Sequence, residues 1–391
     1  MHSLLLERAK CDSFIKQPII ISLALYSAST LQHFIGGCDM RKWIGYFVVL
    51  SFVLGLAATG FSANYKPEYK MSIVVGPTTS WGMGGARFSE LVKERTNGRI
   101  NIKVYYSGQL YAGKQTNEFL LLKQGVADFA LGSTINWSPA VKELNLFSLP
   151  FFFNGSYKAL DALENGDVGK RIFRILDEKG VLAMGWGENG FREITNSKRA
   201  IRKPADLDGL KIRVVGSPIF IDIFKSLGAN PVSMNWGEAL SAFQSGTVDG
   251  QENPVTGIII PYKLWQVHKY CTFWNYVIDP LILVVSKETW NTFDKNDREI
   301  IRKAATEASA WQKKAAREGL EGSTASLDTL KKNGMDVYSL TPADMKAFKN
   351  KVKPVYDKWT PEIGADLVQV AEKEIRNAEK KPPAKKKSSK K

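Results

Sequence analysis

At 391 residues the chain is long enough to bury two hydrophobic cores, and its 44% hydrophobic and 24% charged content is that of a globular protein. The formal net charge of +15 suggests a nucleic-acid binder, but residues 380–391 carry +7 and residues 1–63 carry +2, leaving a modest +6 for the body. The basic tail has no arginine or aromatic to stack on bases, and the chain lacks a Gly-x-Ser-x-Gly elbow, a phosphate loop or a zinc-ligand pairing, so nucleic-acid binding and the familiar enzyme classes lose support.

In chain order, the first feature is a leader over residues 1–63. Met40-Arg41-Lys42 precedes an apolar run over 43–58, and small residues follow up to Ala63. A basic start, an apolar middle and small residues at the end describe an export signal over 40–63, cut after Gly60 or Ala63. Residues 1–39 do not fit that plan and are expected to reflect a start assigned too early. A rival reading takes 18–31 as the apolar middle and Ile35-Gly36-Gly37-Cys38 as a lipidation site, but then a second apolar run follows the anchor at once. Cys11 and Cys38 fall in the leader, which leaves Cys271 alone and no internal disulfide. No later stretch is apolar for the ~20 residues of a membrane helix. The exported chain is expected in the periplasm.

Residues 71–76 read as a strand, followed by a small-residue loop with Thr78, Thr79, Ser80 and Trp81. A helical pattern over 85–96 stops at Asn97-Gly98, a pair suited to a helix end. Ile100, Ile102 and Val104 alternate with polar neighbours as a half-buried strand; a helix over 116–123 ends at Gly125, and 128–131 gives another strand. This alternation predicts a parallel α/β sheet. It repeats with a strand over 211–215, a helix over 218–227 and a helix over 236–244, and residues 247–250 lead into a turn through Pro254. A helix-prone stretch over 294–332 has Gly319 and Gly322 as breaks. Residues 379–391 are lysine-rich, cannot bury a core and are expected to be disordered.

The candidate chemistry lies in three runs. Arg192 sits in Gly190-Phe191-Arg192-Glu193-Ile194-Thr195-Asn196, Arg213 in Gly209-Leu210-Lys211-Ile212-Arg213-Val214, and Asn253 in Asp249-Gly250-Gln251-Glu252-Asn253-Pro254. A guanidinium is a planar fork that grips a carboxylate with two parallel hydrogen bonds and keeps its charge. Two forks and an amide make a carboxylate clamp if the fold brings them together. Each has a structural alternative: Arg192 could pair with Glu193 or Asp206, Arg213 could be a solvated strand charge, and Asn253 before proline could be an ordinary turn residue. Asp249 and Glu252 are read as structural partners, capping and pairing with the arginines. His268 and Cys271 read as packing residues and not as a nucleophile pair. Neither an enzyme nor a metal nor a cofactor is expected.

These runs, collinear and correctly spaced, resemble the DctP-like solute-binding proteins of TRAP (tripartite ATP-independent periplasmic) transporters over about residues 70–375. The resemblance implies a periplasmic-binding-protein-like α/β fold with crossing hinge strands and a long spanning helix. Lobe I would take 64–189 plus 278–317, and lobe II 190–277 plus 318–378. It implies that Arg213 salt-bridges a substrate carboxylate, Arg192 adds a second basic ligand and Asn253 an amide. Trp236, just before a helix, would pack on the substrate, and Tyr276 on a hinge strand would face the cleft. On the other lobe, the loop from Thr78 to Trp81 and the segment from Ser133 to Trp137 would set specificity.

The implied function is capture of a small organic acid anion by lobe closure and delivery to membrane permease subunits, by a monomer. A C4-dicarboxylate is the commonest candidate in this branch, while Trp81, Trp137 and Trp236 equally suit a larger, more apolar acid. The alternative is an exported carboxylate-binding sensor or chaperone. One departure stands out: Tyr111-Ala112-Gly113-Lys114-Gln115 has no acid before Glu118, where relatives usually carry one, so no acidic grip on a substrate hydroxyl or amine is expected from that segment.

Overall fold

The computed structural model describes residues 65–380; the leader expected over 1–63 and the lysine-rich end beyond Lys380 lie outside the described residues. The first lobe opens with β1 (Tyr69–Ser72), and Thr79 then caps α1 (Ser80–Arg95) by accepting a hydrogen bond from the Gly82 amide. The cap starts this helix ahead of its apolar pattern and draws Trp81, expected in a loop, into its first turn. After β2 (Ile102–Tyr105) come α2 (Glu118–Lys123), β3 (Phe129–Ser133) and α3 (Thr134–Trp137), followed by α4 (Tyr157–Asn165) and α5 (Asp167–Glu178).

The long strand β4 (Val181–Asn196) belongs to both lobes. The second lobe continues with β5 (Lys211–Val214), α6 (Pro218–Ser226), β6 (Asn230–Ser233), α7 (Trp236–Ser245) and β7 (Gly250–Pro254). The segment expected as a turn at Gln251–Asn253 is therefore a buried strand. Pro254, which cannot donate to a ladder, falls at its last position. β8 (Tyr270–Phe273) and β9 (Ile278–Ser286) lead to α8 (Lys287–Thr292) and the long α9 (Lys295–Arg317). Gly319 and Gly322, both at positive φ, separate α9 from α10 (Ala325–Lys332). The chain closes with β10 (Asp336–Ser339), α11 (Pro342–Ile363) and α12 (Ala365–Lys380).

The strands run in the order β2-β1-β3-β9-β4-β7-β5-β6, with β8 beside β4 and β10 beside β8. β1 pairs in parallel with β2 and β3, as β5 does with β6 and β7, so each lobe has the parallel core its strand–helix alternation predicts. β9 runs antiparallel to β3 and β4. β4 pairs with β9 up to Phe191, then with β7 and β8 from Arg192 and Ile194 onward. Just before this change of partner the register shifts between Glu188 and Gly190, and Gly190 has φ +120°, a backbone that other residues rarely adopt. The two lobes thus share crossing strands whose bend lies beside Arg192.

α9 ties the lobes from outside. Gln312 bonds both the amide and the carbonyl of Glu188, while Thr256 of the second lobe donates to the Ala316 carbonyl near the helix end. The C-terminal helices also straddle the lobes. Trp359 and Lys358 on α11 bond Asp222 on α6, but α12 returns to the first lobe, where Glu374 accepts from the Asp167 amide and Asp366 pairs with Arg171. Glu379 and Lys380, expected in a disordered tail, complete α12.

Candidate ligand-binding site

Alternation along β5 buries Ile212 and Val214 on one face and aims Arg213 from the other. Arg213 is 1% exposed, and its Nε and Nη2 both donate to the Met234 carbonyl, at 2.9 and 2.7 Å. Its guanidinium lies 5.5 Å from the centre of the Trp236 ring, at the first turn of α7. No carboxylate of the described residues reaches ion-pair distance of it. Burial lowers Arg213 to about 10, with Glu252 opposing and Arg192 adding to the drop, so it remains a cation at neutral pH. Asn253 stands nearby, its amide nitrogen donating to Gln251, whose own amide donates to Thr195. An amide has two N–H groups, so this anchoring leaves Asn253 one to offer.

Arg192 is buried to the same degree but differently placed. Glu252 takes its fork in a two-point ion pair, with Nη2 at 2.8 Å from Oε1 and Nε on Oε2, and Nη2 also donates to the Glu252 carbonyl at 2.7 Å. Its remaining nitrogen, Nη1, reaches Asp279 Oδ2 at 3.5 Å. Asp279 also accepts from Ser133 at 2.6 Å and Asn189 at 2.8 Å. Burial raises Asp279 above the usual carboxylate range, while Arg192 and these hydrogen bonds pull it back. The partners of Arg192 are Glu252 and Asp279, and neither Glu193 nor Asp206.

The first lobe closes the space with Val74, Val75, Trp81, Gln115, Ile135 and Asn136. Ser133 caps α3 and aims its hydroxyl at Asp279, and the Trp81 indole N–H donates to the Leu131 carbonyl at 2.5 Å. Gln115 bridges the lobes: its Oε1 accepts from the Trp236 amide at 2.7 Å, and its Nε2 donates to Asn136 at 2.6 Å. Ser138 bonds Ser217 at 2.8 Å, and the Gly76 amide donates to Tyr262 at 2.9 Å, so the lobes are shut. The space left between the lobes is a cavity of about 20 Å³. Trp236 Nε1 and Asn189 Oδ1, both on cavity-lining residues, are buried without a protein partner.

Six of the nine sequence-predicted residues line this cavity: Arg213, Arg192, Asn253, Trp236, Ser133 and Trp81. Three do not. Thr78 is exposed ahead of the Thr79 cap. Trp137 turns its indole to Glu118 at 2.9 Å and lies flat on Gly132, where a Cβ would meet the ring at 1.9 Å. Glu118 itself is pushed up to about 8 by burial, against the pull of Ser72 and Trp137. Tyr276 is packed among Trp274, Phe220 and Phe224, and its hydroxyl donates to Glu252 at 2.6 Å. It braces the partner of Arg192 from behind. Sequence reasoning missed Gln115, Asn189 and Asp279, while Asn136 falls within the segment it assigned to specificity. Asp279, the one charged residue of β9, carried a readable signal: an acid in a buried strand needs a purpose.

Two α/β lobes closed on a cavity, with a buried cation that the protein leaves without a counter-charge, define an anion receptor of the two-lobed extracytoplasmic kind. Residues 71–362 match the family described as bacterial extracellular solute-binding protein, family 7, and the chain belongs to that family, the solute-binding components of TRAP transporters. It is 53% identical to a TRAP periplasmic solute-binding protein from Ralstonia eutropha H16, with a TM-score of 0.79 over 80% of this chain and 100% of that one; the crystal structure of that relative holds (S)-2-hydroxy-2-methyl-3-oxobutanoate, (S)-2-acetolactate. It is also 29% identical to the 2,3-diketo-L-gulonate-binding periplasmic protein of Escherichia coli K12, over 82% of this chain and 96% of the relative. The C4-dicarboxylate-binding periplasmic protein of Rhodobacter capsulatus is 31% identical over 76% of this chain and 88% of its own length.

Proposed function

We propose that this protein captures a small 2-hydroxy or 2-oxo monocarboxylate in the periplasm and delivers it, as a non-catalytic monomer, to the membrane permease of a TRAP transporter. The observation that carries this reading is the contrast in counter-charge: Arg213 is fully buried with no acid, whereas Arg192 is already matched by Glu252. One carboxylate fits the fork that Arg213 leaves open and the spare N–H of Asn253. Trp236 and Val215 would lie against its carbon skeleton, with Trp236 Nε1 as a further donor.

A dicarboxylate fits less well. Its second anionic end would meet Asp279 on the wall, and the one other lining cation is Arg192, already paired. A hydroxyl suits Asp279 and a carbonyl suits a free amide or indole donor. The acetolactate in the Ralstonia relative has this set of groups: one carboxylate, one hydroxyl and one carbonyl. Closure would then remove water from the Arg213–carboxylate pair and favour the shut form, because the ligand touches both lobes.

Calorimetry with acetolactate and with succinate tests this. Acetolactate is expected to bind the more tightly. Arg213→Lys should lose about 2–5 kcal/mol of that affinity, since a point charge cannot replace the fork. Tighter succinate binding, or unchanged affinity in the lysine variant, overturns the reading.

A further inference from the structure

A second cavity lies at the hinge, separate from the anion site, with about 340 Å³ of free space. Its walls include the rings of Tyr157, Phe191 and Phe273 and the side chains of Val255 and Leu327. Among them stands Glu193, 2% exposed, which does not line the anion cavity. Its Oε2 accepts from the backbone amides of Trp274 and Asn275 at 2.6 and 3.0 Å. Its Oε1 has no hydrogen-bond partner among the described residues, and no lysine or arginine among them lies within ion-pair distance. β4 alternates its side chains, so Glu193 points away from the side on which Arg192 meets Glu252. A buried carboxylate facing free space without a counter-charge asks for a cation.

We propose that this cavity is a second binding site, for a small organic ammonium whose nitrogen sits at Glu193 Oε1 and whose body packs against Tyr157, Phe191 and Phe273. A metal ion suits it poorly. Hard cations take six or more oxygen ligands, whereas the wall offers one buried carboxylate among rings, and the described residues hold no cluster of three metal-ligating side chains. Aromatic faces favour organic cations.

The other charges around the cavity leave the assignment intact. Glu321 on the wall is exposed and lies 3.9 Å from Arg317 Nη1, so its charge is largely matched. Arg317 stacks on the Tyr157 ring at 4.5 Å, but its guanidinium is held by Asp161 and Glu188. The Tyr157 phenol and the Cys271 thiol, both raised mainly by burial and further by Glu193, stay neutral. Burial also pushes Glu193 up to about 7, with its two amide bonds pulling back, so a bound cation would draw it to the ionised form.

Butylammonium chloride is the probe, read by thermal melting of the full chain against equal sodium chloride. At pH 8 butylammonium is expected to raise Tm by several degrees beyond sodium, and by less at pH 5.5, where Glu193 is protonated. Glu193→Gln should abolish the difference, and so should Leu327→Trp, which fills the cavity from a half-buried wall position while acetolactate binding is retained. Equal melting in the two salts, or a butylammonium shift that survives either variant, overturns the proposal. Should Glu193→Gln fail to fold, Leu327→Trp decides alone.

Discussion

Arg192 at the bend of β4 and Arg213 on β5 are 2% and 1% exposed, yet the protein treats them in opposite ways. Around Arg192 it has assembled a complete shell: Glu252 on the fork, Tyr276 behind Glu252 and Asp279 on the last nitrogen. Around Arg213 it has supplied a carbonyl and a ring, both neutral. Burial of a cation is therefore not in itself a binding signal; the missing counter-charge is. Removing one partner of a buried pair strands the other, which costs about 3–5 kcal/mol, whereas removing an uncompensated charge relieves the fold. Arg192→Met is accordingly expected to lose that much stability, and Arg213→Met to gain on the order of 1 kcal/mol in the ligand-free state while losing anion binding. Urea unfolding of both variants without ligand measures the pair of signs. Equal losses would erase the distinction between the two sites.

Asp279 sits between the two arginine environments, so replacing it sharpens the comparison. If it serves the ligand, Asp279→Asn weakens a 2-hydroxy acid by about 1.5–3 kcal/mol, the worth of a hydrogen bond to a charged acceptor. A 2-oxo acid lacking the hydroxyl should lose far less. Parallel calorimetry with lactate and pyruvate separates the cases, and equal losses for both acids would assign Asp279 to the Arg192 shell alone.

What was legible in the sequence was local. Arg213, Trp236 and Asn253 each lie at a strand or helix end that turn chemistry marks, and all three reach the cavity. Glu252 reads as an acid that pairs with the arginines; which of the two it takes depends on pairing between distant strands. The fork of Arg192 is filled because β4 and β7 run antiparallel with Arg192 opposite Pro254 and Ile194 opposite Glu252, which puts Glu252 diagonally beside it. No spacing within either segment encodes that register. The run through Pro254 carries glycine, asparagine and proline and therefore looks like a turn, but burial between β4 and β5 makes it a strand. Trp137 has the character of a pocket residue; only the absence of a side chain at Gly132, in the strand that leads into its own helix, lets its ring pack there and reach Glu118. The acid missing from the Tyr111–Gln115 segment is matched by Asp279 from the hinge strand, while Gln115 brings an amide to the cavity instead.

That amide sets up the smallest effect. Gln115 holds the start of the helix whose tryptophan stacks on Arg213, and it does so from the opposite lobe. Ser138 also crosses the lobes, to Ser217, but does not line the cavity. If both act by stabilising closure, Gln115→Ala and Ser138→Ala should each weaken acetolactate by about 1 kcal/mol, near fivefold, since each removes one net hydrogen bond from the shut form alone. The loss should lie in faster release, because closure delays escape more than it limits entry. Stopped-flow dissociation measures it. A loss confined to Gln115→Ala would make Gln115 a ligand contact, and the environment of Arg213 would then be completed by the first lobe directly as well as by shutting it.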